Sequence, residues 1–192
     1  MIERALENPT LYDLVQFLTG ARISEAKIRD FLGPIPKDIR ILDIGGGTGI
    51  VAPIFDAGKD FTCMDLALDR VRIAGARGSA GLVGDATRIP VMSASIDLAI
   101  QRAVSHHLTD EEFAAMTSET SRVLKPDGRL LFLDAIWAPR WIPGRILWSI
   151  DRGSHFRTES QMRKQLETGF TLERTMGYAI YHRYLLAIGR PR

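Results

Sequence analysis

Cysteine is almost absent from the 192-residue chain, and long apolar runs are missing altogether. The single cysteine, Cys63, excludes an internal disulfide, and its apolar neighbours Phe61 and Met64 predict a small residue packed in a buried strand. A lone reduced thiol favours a cytoplasmic location. No uninterrupted apolar run approaches about 18 residues, so the sequence predicts no transmembrane helix.

The chain also lacks a large excess of charge of either sign. The formal net charge is +2 at pH 7, and the lysines and arginines form no dense run. Because the capture of nucleic acid needs a clustered basic surface, we expect no nucleic-acid partner. The sequence holds neither a Cys/His grouping nor a spaced set of carboxylates, so we also expect no metal ion.

Apolar runs with strand character alternate along the chain with helical patterns. This alternation predicts a three-layer α/β fold whose sheet is mostly parallel. The last two strands lack a helix between them, so we expect seven strands with one antiparallel strand in the edge region. The predicted strands are 39–44, 61–65, 80–83, 95–101, 129–134, 170–176 and 183–188, and the predicted helices are 10–19, 21–32, 49–56, 68–76, 109–124, 143–151 and 158–166.

The pattern fits one domain with four parts. An N-terminal helical cap covers 1–38, and a core that would bind a ligand beyond its strand ends covers 39–135. Residues 136–157 form an unusually long connection, and 158–192 hold the final helix and strand pair.

A glycine loop follows the first predicted strand directly. Asp43 precedes it, and its glycines are Gly45, Gly46, Gly47 and Gly49. Such a turn lets a ligand approach the backbone closely, and both dinucleotides and S-adenosylmethionine suit it. Ile50 stands where the third glycine of the dinucleotide pattern would be, which weakens the dinucleotide alternative without removing it.

Two further acids follow the next two strands. Asp65 lies about 20 residues after Gly45, where a carboxylate can accept hydrogen bonds from ribose hydroxyls. Asp85 and Ala86 follow the third strand, where an acid can accept from an adenine amino group and a small neighbour leaves room for the ring. Alternatively, Asp43 holds the loop, Asp65 caps the following helix and Asp85 is a turn residue.

Five blocks then resemble one family in order and spacing: ILDIGGGTG (41–49), MDLA (64–67), GDATRIP (84–90), SIDLAIQRAVSHHL (95–108) and LKPDGRLLFLD (124–134). With these, the chain resembles the class I S-adenosylmethionine-dependent methyltransferases, and among them the methyltransferase type 11 domain group. The resemblance implies a Rossmann-like methyltransferase fold, S-adenosyl-L-methionine as cofactor, S-adenosyl-L-homocysteine as product and methyl transfer as the reaction.

The resemblance also implies roles for single residues. The glycine loop would line the methionine portion of the cofactor with Asp43 beneath it, and Asp65 would hold the ribose. The remaining implied cofactor contacts are Leu66, Asp85 and Ala86 at the adenine, Gln101 at the methionine end and Tyr12 as an aromatic cover.

The acceptor side carries weaker signals. His106 and His107 lie at the cofactor end of the sheet and either act as a general base or pack a loop. Trp137, Arg140 and Trp141 begin the long connection, which either walls the acceptor pocket, touches lipid headgroups or packs in an interface. We expect a small or lipid-like acceptor. An NAD-dependent oxidoreductase and a non-catalytic module that binds S-adenosylmethionine remain the alternatives.

Overall fold

A computed structural model describes residues 21–55, 60–148 and 155–192 of the chain. Within them one mixed sheet has the strands β1 (Ile41–Ile44), β2 (Phe61–Asp65), β3 (Ala80–Val83), β4 (Ile96–Arg102), β5 (Leu124–Ile136), β6 (Phe170–Ala179) and β7 (Arg183–Pro191). The helices are α1 (Ala21–Leu32), α2 (Leu68–Ala76), α3 (Asp110–Val123), α4 (Ile142–Trp148) and α5 (Glu159–Leu166), with short 3₁₀ turns at Ala52–Phe55 and Ser105–His107.

The sheet order is β3-β2-β1-β4-β5-β7-β6. The pairs from β3 to β5 are parallel, whereas β7 runs antiparallel to both β5 and β6. The three residues between β6 and β7 are too few for a parallel crossover, so these two strands form a hairpin. The predicted mostly parallel, seven-stranded sheet with one antiparallel strand is confirmed.

Alternation along the strands divides the apolar core between the two faces of the sheet. Leu42 and Ile44 pack into the core that holds α3 and α5, while the intervening Asp43 does not belong to it. Ile41 belongs to the opposite core, which is covered by α1, the turn at Ala52–Phe55 and α2. This period of two follows from the pleat of a strand, and it decides below which side chains reach the site.

Two predicted elements differ from the structure. The helix predicted over 49–56 is reduced to the 3₁₀ turn at Ala52–Phe55, because Gly49 has φ +71° and Pro53 cannot donate a backbone hydrogen bond. The strand predicted over 129–134 begins earlier, at Leu124, so residues 125–128 lie inside β5. The β4–β5 register there moves from Ile96↔Leu124 to Leu98↔Arg129, so residues 125–128 form an irregular excursion of the strand.

Two other predictions fall partly or wholly outside the described residues. The helix predicted over 143–151 is α4, Ile142–Trp148, as far as the structure describes it. The helix predicted over 10–19, with Tyr12, lies outside the described ranges. Of the helices within those ranges, none has the length and apolar character to cross a membrane.

Helix α3 begins with a complete capping box. The Thr109 side chain accepts a hydrogen bond from the Glu112 amide at 3.2 Å, and the Glu112 carboxylate accepts one from the Thr109 amide at 2.8 Å. Both backbone donors would otherwise have no partner inside the helix. The cap therefore fixes the point where the loop after β4 turns into α3.

We predict that Thr109→Ala lowers the free energy of unfolding by about 1 kcal/mol, because the Glu112 amide loses its acceptor. The matched control is Ser118→Ala, which changes an exposed residue of the same helix and should stay within about 0.5 kcal/mol of wild type. Urea titrations followed by circular dichroism measure both. Equal stability of the two variants would contradict the structural role of the cap.

Candidate active site

A cleft opens at the carboxyl ends of β1, β2 and β4, where ligands bind in open parallel sheets. The described residues enclose a cavity of about 240 Å³. Its walls come from the glycine loop, the ends of β2 and β3 and the segment after β4. The lining residues are Asp43, Gly45, Gly46, Gly47, Thr48, Ile50, Asp65, Leu66, Arg70, Gly84, Asp85, Ala86, Arg102, Ala103, Val104, His107 and Leu108.

The glycine loop needs its glycines for two different reasons. Gly45 and Gly47 have φ +70° and +57°, a region that L side chains rarely adopt. Gly46 is required by space instead. A Cβ atom there would lie 2.4 Å from Asp43 Oδ2 and 2.7 Å from the sulfur of Cys63. The loop thus rests directly on these two side chains, and Cys63 is the buried core residue that the sequence predicts.

Gly49 does not line the cleft, although the resemblance placed it at the methionine portion. Its Cβ position points behind the loop, 3.0 Å from Ala74 Cβ and 3.4 Å from Ser79 Oγ. Close packing of the loop against α2 therefore explains the glycine at this position.

Asp43 is the most unusual group of the cleft. It is 1% exposed, and among the described residues neither carboxylate oxygen has a hydrogen-bond partner. Burial raises its pKa to about 7, an effect that the nearby Arg102 opposes and Asp65 reinforces. A buried acid without a partner that faces a cavity suits a ligand bearing a cationic group. S-adenosylmethionine carries such groups in its ammonium and sulfonium, so the residues present fit this cofactor.

Asp65 connects the glycine loop to the end of β2. Its Oδ2 accepts a hydrogen bond from the Gly47 amide at 3.0 Å, and its Oδ1 accepts one from the Ala67 amide at 2.9 Å. Arg70 lies 4.0 Å from Oδ2. The N-cap of α2 is Ala67, so Asp65 is not the helix cap of the alternative interpretation. Its carboxylate lines the cleft, where ribose hydroxyls can reach it.

The expected adenine side is formed by Leu66, Asp85 and Ala86, which line the same cavity. Leu66 is 73% exposed, so an apolar side chain stands open beside the cleft. Asp85 Oδ1 accepts hydrogen bonds from the Thr87 amide at 2.8 Å and from the Thr87 hydroxyl at 2.7 Å. These bonds hold the pKa of Asp85 below its usual value. Asp85 is therefore an ionised turn residue at the rim of the cleft.

Gln101 is absent from the cleft, contrary to the role that the resemblance implied. It is fully buried, and its side-chain amide donates to the Thr120 hydroxyl of α3 at 2.7 Å. The register explains this position, because Gln101 pairs with Ile44 and Phe132, whose side chains pack into the core under α3. The residues after it, Arg102 to Val104, face the cleft instead.

The two histidines have different surroundings. His107 is exposed and lines the cleft, whereas His106 is 8% exposed and does not. His106 Nδ1 lies 2.8 Å from Asp134 Oδ1. The other oxygen of Asp134 accepts from the Ser105 amide at 2.8 Å and from its hydroxyl at 2.6 Å. Although burial opposes it, the charge and hydrogen bonds of His106 and Ser105 keep the pKa of Asp134 below its usual value.

Arg157 holds the same segment from the other side. Its buried guanidinium donates to the backbone carbonyls of Ser105 and Leu108, each at 2.8 Å, and to Asp110 at 2.7 Å. Asp134 and Arg157 thus fix residues 105–108, which carry His107 and Leu108 into the cleft wall. The sequence alone did not indicate this role of either residue. The only pattern that could have done so is the acid Asp134 at the end of the block LKPDGRLLFLD.

Trp137, Arg140 and Trp141 do not reach the cleft. They line a second cavity of about 440 Å³ together with residues of β5, α5 and β7. Ile136, Ala138, Pro139, Glu159 and Arg183 complete its lining.

Comparison with known proteins agrees with this geometry. A methyltransferase domain model matches residues 42–132. A structure of a S-adenosylmethionine-dependent methyltransferase from Thermotoga maritima superposes with a TM-score of 0.76 and 19% identity, over 98% of this chain and 99% of that one. Residues 42–132 therefore form a methyltransferase domain, and the fold around them is that of the class I S-adenosylmethionine-dependent methyltransferases. S-adenosylmethionine is accordingly its cofactor.

Two curated relatives differ in their acceptors. The tRNA (carboxymethyluridine(34)-5-O)-methyltransferase of Xenopus tropicalis is 34% identical over 116 residues, which are 58% of this chain and 18% of that protein. The ubiquinone/menaquinone biosynthesis C-methyltransferase of Rubrivivax gelatinosus is 34% identical over 136 residues, 68% of this chain and 53% of that protein. The chain therefore spans less than two thirds of either relative.

The expectation that excluded nucleic acid is wrong, because the Xenopus relative is a tRNA methyltransferase. The inference failed because it used the charge of this chain alone. The region shared with that relative is 18% of its length, so the charge of such a domain does not report what a whole protein of this kind binds.

The raised pKa of Asp43 has a measurable effect on stability. The folded state keeps the proton up to about pH 7, whereas the unfolded chain releases it near pH 3.8, so wild-type stability falls as the pH rises between these values. The substitution Asp43→Asn leaves a side chain that stays neutral at every pH. We therefore predict that the free energy of unfolding of this variant rises relative to that of wild type by about 1.4 kcal/mol per pH unit in this window. Thermal unfolding without cofactor measures the difference.

Asp97→Asn is the control for this titration. Burial of Asp97 is outweighed by its contacts with Lys125 and the Arg40 amide, which hold its pKa below the usual value. Asp97 therefore stays ionised across the upper part of the window, and the difference between this variant and wild type should not change there. A constant difference for Asp43→Asn as well would refute the titration of Asp43.

Proposed function

We propose that this methyltransferase transfers the methyl group to a small or lipid-like acceptor that enters the cleft opposite the glycine loop. The observation that carries the proposal is the two-sided cleft. One wall consists of loop amides with Asp43 and Asp65, and the other wall presents Val104, His107 and Leu108. The first wall suits the cofactor, so the second is left for the acceptor.

The residues of the chain bind the cofactor and orient the acceptor. The Gly47 amide is held by Asp65, which keeps the loop in the shape that lines the cleft. Asp43 offers a buried carboxyl group next to this loop, and because its pKa is about 7 it can ionise when a cationic group binds beside it. The bound cofactor supplies an electrophilic methyl group on a positively charged sulfur. Holding the acceptor in line with that group is worth about 7–11 kcal/mol of barrier, so positioning is the main task of the protein.

His107 is the histidine that we propose as general base for acceptors that lose a proton. It lines the cleft, and an imidazole ring is a side chain suited to accepting a proton from an acceptor. His106 has a positioning role, because its ring contacts Asp134 at 2.8 Å and lies outside the cleft lining.

The second wall supports a small or lipid-like acceptor, because it is partly apolar, with Val104 and Leu108 beside His107. The name of the Rubrivivax relative, a quinone C-methyltransferase, offers one precedent for a lipid-like acceptor.

Two alternative functions would use the same cleft differently. An NAD-dependent oxidoreductase would bind NADH there, but the glycine spacing with Ile50 and the methyltransferase domain match both argue against this function. A non-catalytic module would bind S-adenosylmethionine but transfer nothing. Cofactor titration separates the first alternative, and a transfer assay separates the second.

We predict that calorimetric titration detects S-adenosylhomocysteine binding and no comparable NADH binding. Asp65→Ala should weaken S-adenosylhomocysteine binding by about 100-fold, because two hydrogen bonds to a charged group are lost. Asp69→Ala, on α2 but outside the cleft lining, should bind like wild type. Thermal unfolding of both variants checks that they fold. Tight NADH binding without a response to S-adenosylhomocysteine would overturn the proposal.

The acceptor class is tested with cofactor that carries a radiolabelled methyl group. We expect label to enter the small-molecule or lipid fraction of a cell extract when wild-type protein is added, and Asp65→Ala to transfer far less. Label found in the RNA fraction would contradict a small acceptor. Absence of label from every fraction, with cofactor binding intact, would favour the non-catalytic module.

A further inference from the structure

The second cavity carries an excess of positive charge. Its lining includes Arg140 and Arg183, both exposed. Among the described residues neither guanidinium forms an ion pair or a side-chain hydrogen bond. The one acid of the lining, Glu159, is already paired, since its Oε1 accepts from Arg163 at 2.7 and 3.0 Å. The cavity therefore attracts an anion, and guanidinium groups suit carboxylates and phosphates in particular.

The aromatic walls of this cavity are fixed in place. The indole N–H of Trp141 donates to the Tyr181 carbonyl at 2.7 Å. Gly144 brings α4 close to the same turn, since a Cβ there would lie 2.9 Å from Trp141 Cδ1 and 3.6 Å from the Tyr181 oxygen. Trp137 is held by its amide, which donates to the Arg157 carbonyl at 2.7 Å. Flat apolar walls beside two cations suit a ligand with an acidic group on an apolar body.

A row of packed aromatic rings lies between this cavity and the cofactor cleft. It runs Trp137–Phe156–Trp148–His106–His107, and neighbouring ring centroids lie 5.8, 4.4, 5.8 and 4.1 Å apart. Its first ring lines the second cavity and its last lines the cleft. The two cavities therefore share one packed wall.

The strand register sets the distance that a ligand would have to span. Arg102 at the cleft pairs with Leu133 of β5, which pairs with Leu186 of β7. Arg183 is therefore two strand spacings sideways and three residues along the sheet, about 10 Å in each direction. An acceptor that uses both cavities needs a body roughly 10–15 Å long.

We propose that Arg140 and Arg183 bind the acidic group of an elongated amphiphilic acceptor, a carboxylate or a phosphate on an apolar body, whose other end reaches the His107 wall of the cleft. The proposal rests on the methyltransferase function, and it assigns the second cavity as the subsite that selects the acceptor by its charge. Arg140 and Arg183 are specificity-determining residues in this arrangement.

Titration with alkyl compounds of equal chain length but different head groups tests the subsite. The probes are decanoate, decyl phosphate and 1-decanol, added below micelle-forming concentrations and followed by calorimetry with and without S-adenosylhomocysteine. We expect either anion to bind at least about 10-fold more tightly than the alcohol, as one charge-assisted hydrogen bond predicts. The tighter anion names the head group. Butyrate should bind more weakly than decanoate, because it buries less apolar surface.

Three single variants locate the effect. Arg140→Gln and Arg183→Gln should each weaken decanoate or decyl phosphate binding by about 10-fold. Arg145→Gln is the matched control, because it removes the same charge from an exposed residue of α4 that does not line the cavity. It should bind both anions like wild type. Equal binding of alcohol and anions, or an equal loss in Arg145→Gln, would overturn the proposal.

Cofactor binding separates this proposal from the function on which it rests. S-adenosylhomocysteine affinity should be unchanged in Arg140→Gln and Arg183→Gln, because neither residue lines the cleft. If the wild type binds no S-adenosylhomocysteine, the methyltransferase function fails, and the anion titrations without cofactor still decide the charge preference of the cavity. If cofactor binds and the anions show no preference over the alcohol, only the subsite fails.

Discussion

The hydrogen bond from the Gly47 amide to Asp65 is the contact on which the cofactor site depends. It joins the loop after β1 to the end of β2, and so places the Asp65 carboxylate beside the backbone of the glycine loop in the cleft. Gly46 lies on Asp43 and Cys63 with no room for a methyl group. The loop is therefore held by hydrogen bonds to the end of β2 and by close packing from below, so its shape does not depend on a bound ligand.

Local signals predicted much of the fold. The strand 61–65 and the helix 68–76 agree with the structure, because the periods of strands and helices depend on neighbours in sequence. The burial of Gln101 could not be predicted from such signals, because strand alternation gives the face of the sheet but not the helix that covers it. A strand-end residue faces the cleft or the core according to the layer above it, and here α3 supplies Thr120 as its partner.

The Asp134 and Arg157 contacts could not be predicted for a related reason. Both side chains act on residues 105–108 from distant parts of the chain, and each satisfies backbone groups that carry no sequence signature. Buried charges with several partners are costly to break, so the wall that carries His107 is held firmly. Residues 105–108 are thus tied to β5 and to the residue before α5's cap through two buried ionic groups.

The bond between the Trp137 amide and the Arg157 carbonyl has a consequence for the origin of new specificities. It joins the two ends of the connection between β5 and α5, so this connection starts and ends at nearly the same place. The length of an exposed loop with closed ends costs little to change. Trp148 packs against His106 and Phe156, so exchange of residues in this connection is confined to its exposed part, such as Pro139 and Arg140, while Trp137 and Arg157 remain its fixed ends.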